Sequence, residues 1–482
     1  MDFLPVLLWS DLLIWGLVAA SLALAWLSAR SPLLRSAWRR VGSHRSGMAS
    51  ATVLLVFGAI GLLDSLHYRP ALVAPSAEST AAANRQGTAY SVEVLSLLDW
   101  LVASLRARSE KTYSEPLATR AYAKEAIDLR TADGRVRQVR DYPRLKFGGA
   151  HLGDDEARRD ADIAQRLLRA LALAAAIWCA LAGVAVAALA RAGNCTLLAA
   201  WRCIWRGQTE FAWNAVLIAL ACVLACALSL AGLADDYHVF GTDKVGQDVL
   251  YQILKSVRTA LVIGLVTTLV MLPLAVVLGV MAGYFRGWVD DLIQYLYTTL
   301  SSIPGVLLIA AAVLMMQVLI DTHPQWFATA AERADLRLLA LCLILGLTSW
   351  TGLCRLLRGE TLKLRELEFI QAAQAFGVAD LRIIGRHIVP NLMHIVIIAL
   401  VMDFSSLVLA EAVLSYVGIG VDPTMISFGT MINNARMELA REPMVWWSLS
   451  AAFSFMLALV LAANLLADAV REAFDPRLAG SI

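Results

Sequence analysis

The chain has 482 residues, 59% of them hydrophobic and 17% charged, with a mean hydropathy of +0.65. Soluble domains are nearer half apolar and a quarter charged, so a soluble globular protein is excluded. The formal net charge of +2 gives no footing for a nucleic-acid partner.

Apolar runs recur that are long enough to cross a ~30 Å hydrocarbon layer, which takes roughly 20 helical residues. Nine transmembrane helices are predicted, at residues 4–29, 48–65, 167–190, 213–233, 259–284, 292–320, 336–354, 392–416 and 446–468. The fold class is therefore an all-α polytopic membrane protein with a small outer α+β domain. The first run reads as a span and not as a cleaved leader, because no basic region precedes it and no clear small-residue site follows it. Pro304 interrupts the sixth, and Ser301 and Ser302 beside it can rebond the freed backbone groups.

Three short links carry the basic residues. Arg30, Arg35, Arg39, Arg40 and Arg45 follow the first span. Arg191, Arg202 and Arg206 follow the third, and Arg355, Arg358, Lys363, Arg365, Arg382 and Arg386 follow the seventh. The positive-inside rule puts all three in the cytoplasm. Nine spans achieve this with an outer N-terminus and an inner C-terminus.

The long polar stretch at 67–166 then lies outside; long loops translocate largely regardless of charge. Residues 91–105 place Val94, Leu95, Leu98, Leu101 and Leu105 on one helical stripe. Residues 129–139 alternate around Asp133-Gly134, a two-residue hairpin signal. Residues 70–88, rich in Ala, Ser and Pro, read as a flexible lead-in. His151 reads as a lone surface histidine. The expected organisation is two spans in 1–66, the outer domain in 67–166, a third span and inner linker in 167–212, and a six-span core in 213–482.

Seven cysteines lie in or beside apolar segments and form no C-x-x-C pair, so they read as small packing residues rather than ligands. The chain has no G-x-x-x-x-G-K-[ST] phosphate loop, H-E-x-x-H or G-x-S-x-G sequence. It is expected to hydrolyse no ATP by itself and to bind no metal.

Between the seventh and eighth spans stands Phe369-Ile-Gln-Ala-Ala-Gln-Ala-Phe-Gly377, continued by Val378-Ala-Asp-Leu-Arg-Ile-Ile-Gly-Arg-His-Ile-Val-Pro390. Two alanines, a turn glycine and a closing proline form a compact helix-turn-helix that a partner can grip. Five further blocks flank it: Phe240-Gly-Thr-Asp-Lys-Val-Gly-Gln-Asp-Val-Leu250; Ala282-Gly-Tyr-Phe-Arg-Gly-Trp-Val-Asp290 with Ser302-Ile-Pro304; Leu347-Thr-Ser-Trp-Thr-Gly352 with Arg358-Gly-Glu-Thr-Leu362; Leu409-Ala-Glu-Ala-Val-Leu-Ser-Tyr-Val-Gly-Ile-Gly420; and Ala469-Val-Arg-Glu-Ala-Phe-Asp-Pro-Arg477. The ordered series, from about Trp213 onward, resembles the C-type permease subunit of oligopeptide, dipeptide and nickel ABC importers. The helix-turn-helix resembles their cytoplasmic EAA coupling loop, here 355–391.

The resemblance implies a type I importer core in the bacterial inner membrane, taking up di- or oligopeptides or peptide-like compounds from a periplasmic binding protein. It implies a second permease subunit and two ATPase subunits or domains as partners, with ATP and magnesium bound there and no cofactor on this chain. Gln371, Ala372, Ala373, Gly377, Arg382 and Pro390 are the implied ATPase-coupling residues. Gly241, Asp243, Gly246 and Asp248 form the outer motif before the fifth span. There Asp243 and Asp248 either cap the helix or meet the incoming binding protein or peptide. Asp403, Ser405, Ser406 and Glu411 on the eighth span are candidates for the translocation pathway and gate. A carboxylate at that depth needs protein or water around it. Glu411 either lines the outer gate or anchors a neighbouring loop. Asp403 meets either a cationic substrate group or a polar group of a partner subunit.

The chain also departs from the family pattern. Gln371 replaces the usual leading glutamate, with Glu366 or Glu368 as possible compensation. Gln247 stands where arginine is usual, and Asp403 where relatives are apolar or small. The first three spans and the outer domain are an addition. A secondary transporter lacks support for want of an inverted repeat. A sensor built on an inactive transporter core is the other reading, and co-purifying ATPase subunits would separate the importer from both.

Overall fold

The structure is a computed structural model and describes residues 3–30, 32–71, 90–130, 136–153, 155–327 and 329–474. Strand β1 (Phe3–Val6) leads into α1 (Trp9–Arg30), followed by α2 (Pro32–Ser43), α3 (Arg45–Asp64) and β2 (His67–Pro70). The outer segment holds β3 (Leu95–Ser96), α4 (Leu97–Leu101), α5 (Ala103–Ala107), β4 (Glu125–Arg130) and β5 (Val136–Asp141). Then come α6 (Arg159–Ala192), α7 (Leu197–Arg206), α8 (Trp213–Ala234), α9 (Val249–Phe285), α10 (Gly287–Ser302) and α11 (Gly305–Thr322). The chain closes with α12 (Ala330–Ser349), α13 (Thr351–Arg365), α14 (Glu368–Ala375), α15 (Asp380–Ile383), α16 (Val389–Val417), α17 (Phe428–Glu438) and α18 (Trp447–Phe474). A π-helical turn over Ile384–Ile388 joins α15 to α16.

Among the described residues, seven helices are long and apolar enough to cross a membrane, and α12 with α13, bent by 40°, makes an eighth if counted as one span. Two of the nine expected spans change at their ends. Leu4 is not in the first helix: it lies in β1, which pairs antiparallel with β2 from Phe3↔Pro70 to Val6↔His67. The apolar part of α1 is the shorter stretch Trp9–Ala23. Leu292 lies in α10, a separate amphipathic helix, and the sixth span begins only at Gly305, because Pro304 breaks the helix between them.

The outer segment also departs from expectation. Residues 91–105 form no single helix: α4 starts at a capping box in which Ser96 and Asp99 bond each other's backbone, and the chain breaks at Val102 before α5. Leu98 and Leu105 are buried, whereas Leu101 is exposed. β4 and β5 do pair, with Arg130 opposite Val136. A two-residue turn at Asp133-Gly134 would instead bring Arg130 opposite Arg137; the turn residues, like 72–89 of the lead-in and the tail beyond Phe474, lie outside the described residues. His151 is not alone, since its Nε2 meets Asp162 at 2.9 Å and its ring packs edge-on against Tyr237.

The core is built where α9, α16 and α18 meet, with Val257, Ala452 and Leu459 fully buried. The added helices do not stand apart from it. α3 packs on α8, α9 and α18. A buried polar network fastens the outer ends together: Arg258 of α9 donates to Asp11 and Ser10 of α1, each at 2.7 Å, and His67 meets Asp11 at 2.7 Å. The Ser10 backbone N–H reaches Asp335 of α12 at 3.1 Å. Lys255 of α9 donates to Asp64 at 2.6 Å and Asp99 at 3.0 Å. Removing one partner from such a desolvated set leaves an uncompensated charge, at a cost of roughly 3–5 kcal/mol.

Candidate functional site

Between α13 and α16 the chain forms a knob. Ile370, Ile383 and Ile388 are fully buried and pack with Leu357 and Cys354 of α13 and Tyr284 of α9. These three isoleucines turn the apolar side of the knob inward. Its far side is apolar too: Phe376 is 87% and Leu381 81% exposed. Gln371 and Ala372 are exposed on the same short helix, while Ala373 packs against the buried cluster. Gly377 ends α14 at φ +73°, and an added Cβ would meet nothing within 4 Å. The glycine is thus required by backbone conformation and not by crowding. Arg382 is exposed on α15. Pro390 sits in the first turn of α16, directly after the π-helical turn that joins it to α15.

The knob is braced to the membrane helices. Tyr284 donates to Asp380 at 2.7 Å and accepts from Gln374 at 3.2 Å. Gln371 donates to the Glu366 carbonyl at 3.2 Å, and the Glu366 side chain pairs with Arg286. Arg358 of α13 grips Asp290 of α10 through two bonds of 2.6 and 2.7 Å, a bidentate pairing that fixes orientation as well as distance. α9 meets α13 at Gly279 and Gly283, where a Cβ on Gly283 would come within 2.5 Å of Thr361. Two small residues one turn apart let the backbones approach. The knob is therefore tied to α9, α13 and α16, and through Arg358 to α10.

On the opposite face, the loop before α9 lies beneath the outer segment. Thr242 Oγ1 accepts from the Ser114 backbone N–H at 2.7 Å and donates to the Thr112 carbonyl at 2.9 Å. Trp447 Nε1 donates to the Thr242 carbonyl at 3.0 Å. Asp248 caps α9 through the Leu250 N–H at 2.8 Å, and Asp243 accepts from the N–H groups of Val245 and Gln247. The Gln252 amide donates to Asp243 at 2.7 Å. Both aspartates hold the loop's own backbone, and the chain's outer segment covers Gly241 and Gly246.

Beneath this cover lies a buried triad. His238 meets Asp248 at 2.7 Å and Glu110 at 3.4 Å. Burial opposes both charges. The two carboxylates nonetheless raise His238 to about 9. Burial likewise opposes ionisation of Glu110, but His238 and the N–H groups of Lys146, Phe147 and Gly148 hold it down at about 2.

The four pathway candidates do not converge. Glu411 is buried near the outer end of α16, accepting from Ser415 at 2.6 Å and from Ser427, the N-cap of α17, at 2.9 Å. This geometry anchors the loop before α17. Eight residues earlier, about 12 Å along the helix, Asp403 lines a cavity of about 870 Å³ with Glu360, His394 and Arg471. No described residue donates a hydrogen bond to its carboxylate. Ser405 is buried and bonds Asn464 of α18 at 2.5 Å, while Ser406 is exposed and donates to the Asp403 carbonyl at 2.8 Å.

Sequence reasoning missed Phe376 and Leu381 as the exposed tip, Tyr284 as its brace, and Glu110 with His238 as the clasp beneath the outer segment. Tyr284 had a signal in its block, and so did the Gly279–Gly283 spacing. Glu110 had none, because its partner lies 128 residues away.

The family described as binding-protein-dependent transport system inner membrane component matches residues 275–480. The oligopeptide transport system permease protein OppC of Mycobacterium tuberculosis is 32% identical over 239 residues, 50% of this chain and 76% of that protein. The glutathione transport system permease protein GsiD of Pectobacterium atrosepticum is 32% identical over 241 residues, 50% of this chain and 73% of that protein. The dipeptide transport system permease protein DppC of Bacillus subtilis is 27% identical over 241 residues, 50% of this chain and 69% of that protein.

Proposed function

This chain belongs to the binding-protein-dependent transport system inner membrane components, multi-pass subunits that are not themselves enzymes, and we propose that it imports peptides. In this reading it forms one half of the pathway and pairs with a second permease subunit. Two ATPase subunits or domains complete the complex, the knob docks on one of them, and ATP and magnesium are bound by those partners. A periplasmic binding protein delivers di- or oligopeptides, or peptide-like compounds such as glutathione, to the opposite face. The substrate class is supported by the similar proteins, which are permeases of oligopeptide, dipeptide and glutathione transport systems.

The knob supports the coupling role most directly. Its exposed Phe376 and Leu381 are set on a buried isoleucine base and braced to four membrane-associated helices. Gln371 supplies an amide, bonded to the knob's own backbone, where a charge pair with the ATPase would otherwise be expected. The knob face holds the three basic links, which supports a cytoplasmic assignment for it and a periplasmic one for β1 and the outer segment. Asp403 is the proposed polar contact on the pathway. Glu411 is proposed as a structural anchor of the outer gate.

The test is reconstitution of the assembled transporter in nanodiscs with its binding protein. Peptide-loaded binding protein should raise ATP hydrolysis above the unloaded rate. An assembled complex that hydrolyses ATP equally with and without loaded binding protein, across di- and oligopeptides, would sink the peptide assignment.

A further inference from the structure

Two short helices on the knob face, α2 and α7, have no counterpart in the role just proposed. Both are amphipathic in the same sense. On α7, Ala200 and Ile204 are buried in a cluster with Ala182 and Val186 of α6 and Leu217 of α8. Leu197, Trp201 and Trp205, spaced by one turn, form an exposed apolar stripe beside the buried one. Arg202 and Arg206, also one turn apart, are exposed on the far side. On α2, Ala37 and Val41 are buried against Val470 and Phe474 of α18, while Trp38, Arg35, Arg39 and Arg40 are exposed.

The two helices join at one place. The Ala212 N–H donates to the Gly42 carbonyl at 2.8 Å, which brings the link after α7 onto the end of α2. Their arginines form one basic surface. Two exposed acids stand beside it among the described residues: Glu210, 4.0 Å from Arg39, and Glu472 of α18, 3.0 Å from His44 at the end of α2; exposed pairings of this kind are worth little. Arg35, Arg40, Arg202 and Arg206 have no acidic partner among the described residues.

The chain itself fixes what covers these faces. α2 is joined at both ends to membrane-directed helices, α1 and α3, and α7 lies between the spans α6 and α8. Both are thereby held at the hydrocarbon edge. Tryptophan and leucine at that depth lie among acyl chains, and arginines beside them reach the phosphates. We propose that α2 and α7 together form a binding site for anionic phospholipid headgroups in the leaflet on the knob side. Because α2 rests on α18, and Ile397 and Ile398 of α16 pack into the same cluster, the bound headgroups lie close to the helix that leaves the knob.

The test uses the assembled transporter extracted from nanodiscs made of equal parts phosphatidylcholine and phosphatidylglycerol. Retained lipid is measured by mass spectrometry. Phosphatidylglycerol should be enriched in the wild type and in Arg202→Lys/Arg206→Lys, which keeps charge and controls for folding. Each arginine near an anionic surface is worth roughly fivefold in partitioning, so Arg39→Gln/Arg40→Gln/Arg202→Gln/Arg206→Gln should abolish the enrichment. Equal retention of both lipids by the wild type, or unchanged enrichment in the Gln variant, overturns the proposal. Displacement of the lipid by excess inorganic phosphate would make this a free-anion site and overturns it too. Loss of ATPase subunits from the Gln variant with lipid enrichment intact would assign the arginines to a protein partner instead.

Discussion

Gly246 lies directly beneath Glu110. The Glu110 N–H donates to the Gly246 carbonyl at 2.9 Å, and a Cβ on Gly246 would stand 1.9 Å from the Glu110 carbonyl oxygen. Gly246 also has φ +78°. Gly246→Ala should therefore strain the turn and push the outer segment off the loop, costing about 2 kcal/mol. Limited proteolysis should then cut the outer segment faster while the membrane helices stay intact. Cleavage at the wild-type rate would show that the two pieces are not fastened here.

The His238 triad gives this attachment a pH window. His238 is raised from 6.5 to about 9, so its contribution is full below pH 6.5 and is lost as pH rises through about 9. Glu110 is lowered from 4.5 to about 2, so its contribution is full above pH 4.5 and is lost as pH falls toward about 2. Attachment should be strongest between pH 4.5 and 6.5 and weaken on the alkaline side by at most about 3 kcal/mol. His238→Gln should remove the alkaline transition. Melting temperature measured against pH in nanodiscs checks this, and an unchanged alkaline limb in the variant would contradict it.

The long apolar spans were legible because length and hydropathy are properties of contiguous residues. So was the knob, whose small residues and turn glycine follow one another. β1 was not legible. A four-residue strand at the head of a leucine-rich run looks like the start of that run, and its partner Pro70 is distant in sequence. α10 was merged with the next span because Ile303 continues the apolar pattern up to Pro304. Asp243 and Asp248 were readable as caps from the loop itself. The cover above them was not, since Ser114 and Glu110 reach that loop from across the outer segment. Glu411 was visible as a costly carboxylate, but only the fold brings Ser427 to it.

At the knob, the exposed tip should carry the affinity for the ATPase. Phe376→Ala and Leu381→Ala touch no buried side chain, so the permease should fold normally. Each should weaken ATPase association by about 1–3 kcal/mol, roughly 5- to 150-fold. Gly377→Val forces a β-branched residue into a left-handed turn and should uncouple hydrolysis from transport. Titrating ATPase subunits onto reconstituted permease measures the first effect, and uptake per ATP the second. Wild-type behaviour in all three variants would place coupling elsewhere on the chain.

The proposed sidedness rests on the basic links. Single cysteines at Arg40, Arg206 and Arg382 should react with impermeant reagents only after the membrane is opened. Cysteines at Lys111 and Tyr142 should react in intact spheroplasts. Reaction at Arg40 in intact spheroplasts would reverse the first helices relative to the core.

The β1–β2 seam also orders the birth of the molecule. β1 leaves the ribosome some sixty residues before β2, and through that interval its backbone amides have no strand to pair with. If α1 and α3 both cross the membrane, as the nine-span reading expects, the two strands meet on the same side. Closure of this small sheet thus requires α1 and α3 to run in opposite directions, whichever way the pair faces. An inverted first helix leaves β1 stranded on the wrong side, as an unpaired edge open to quality-control proteases.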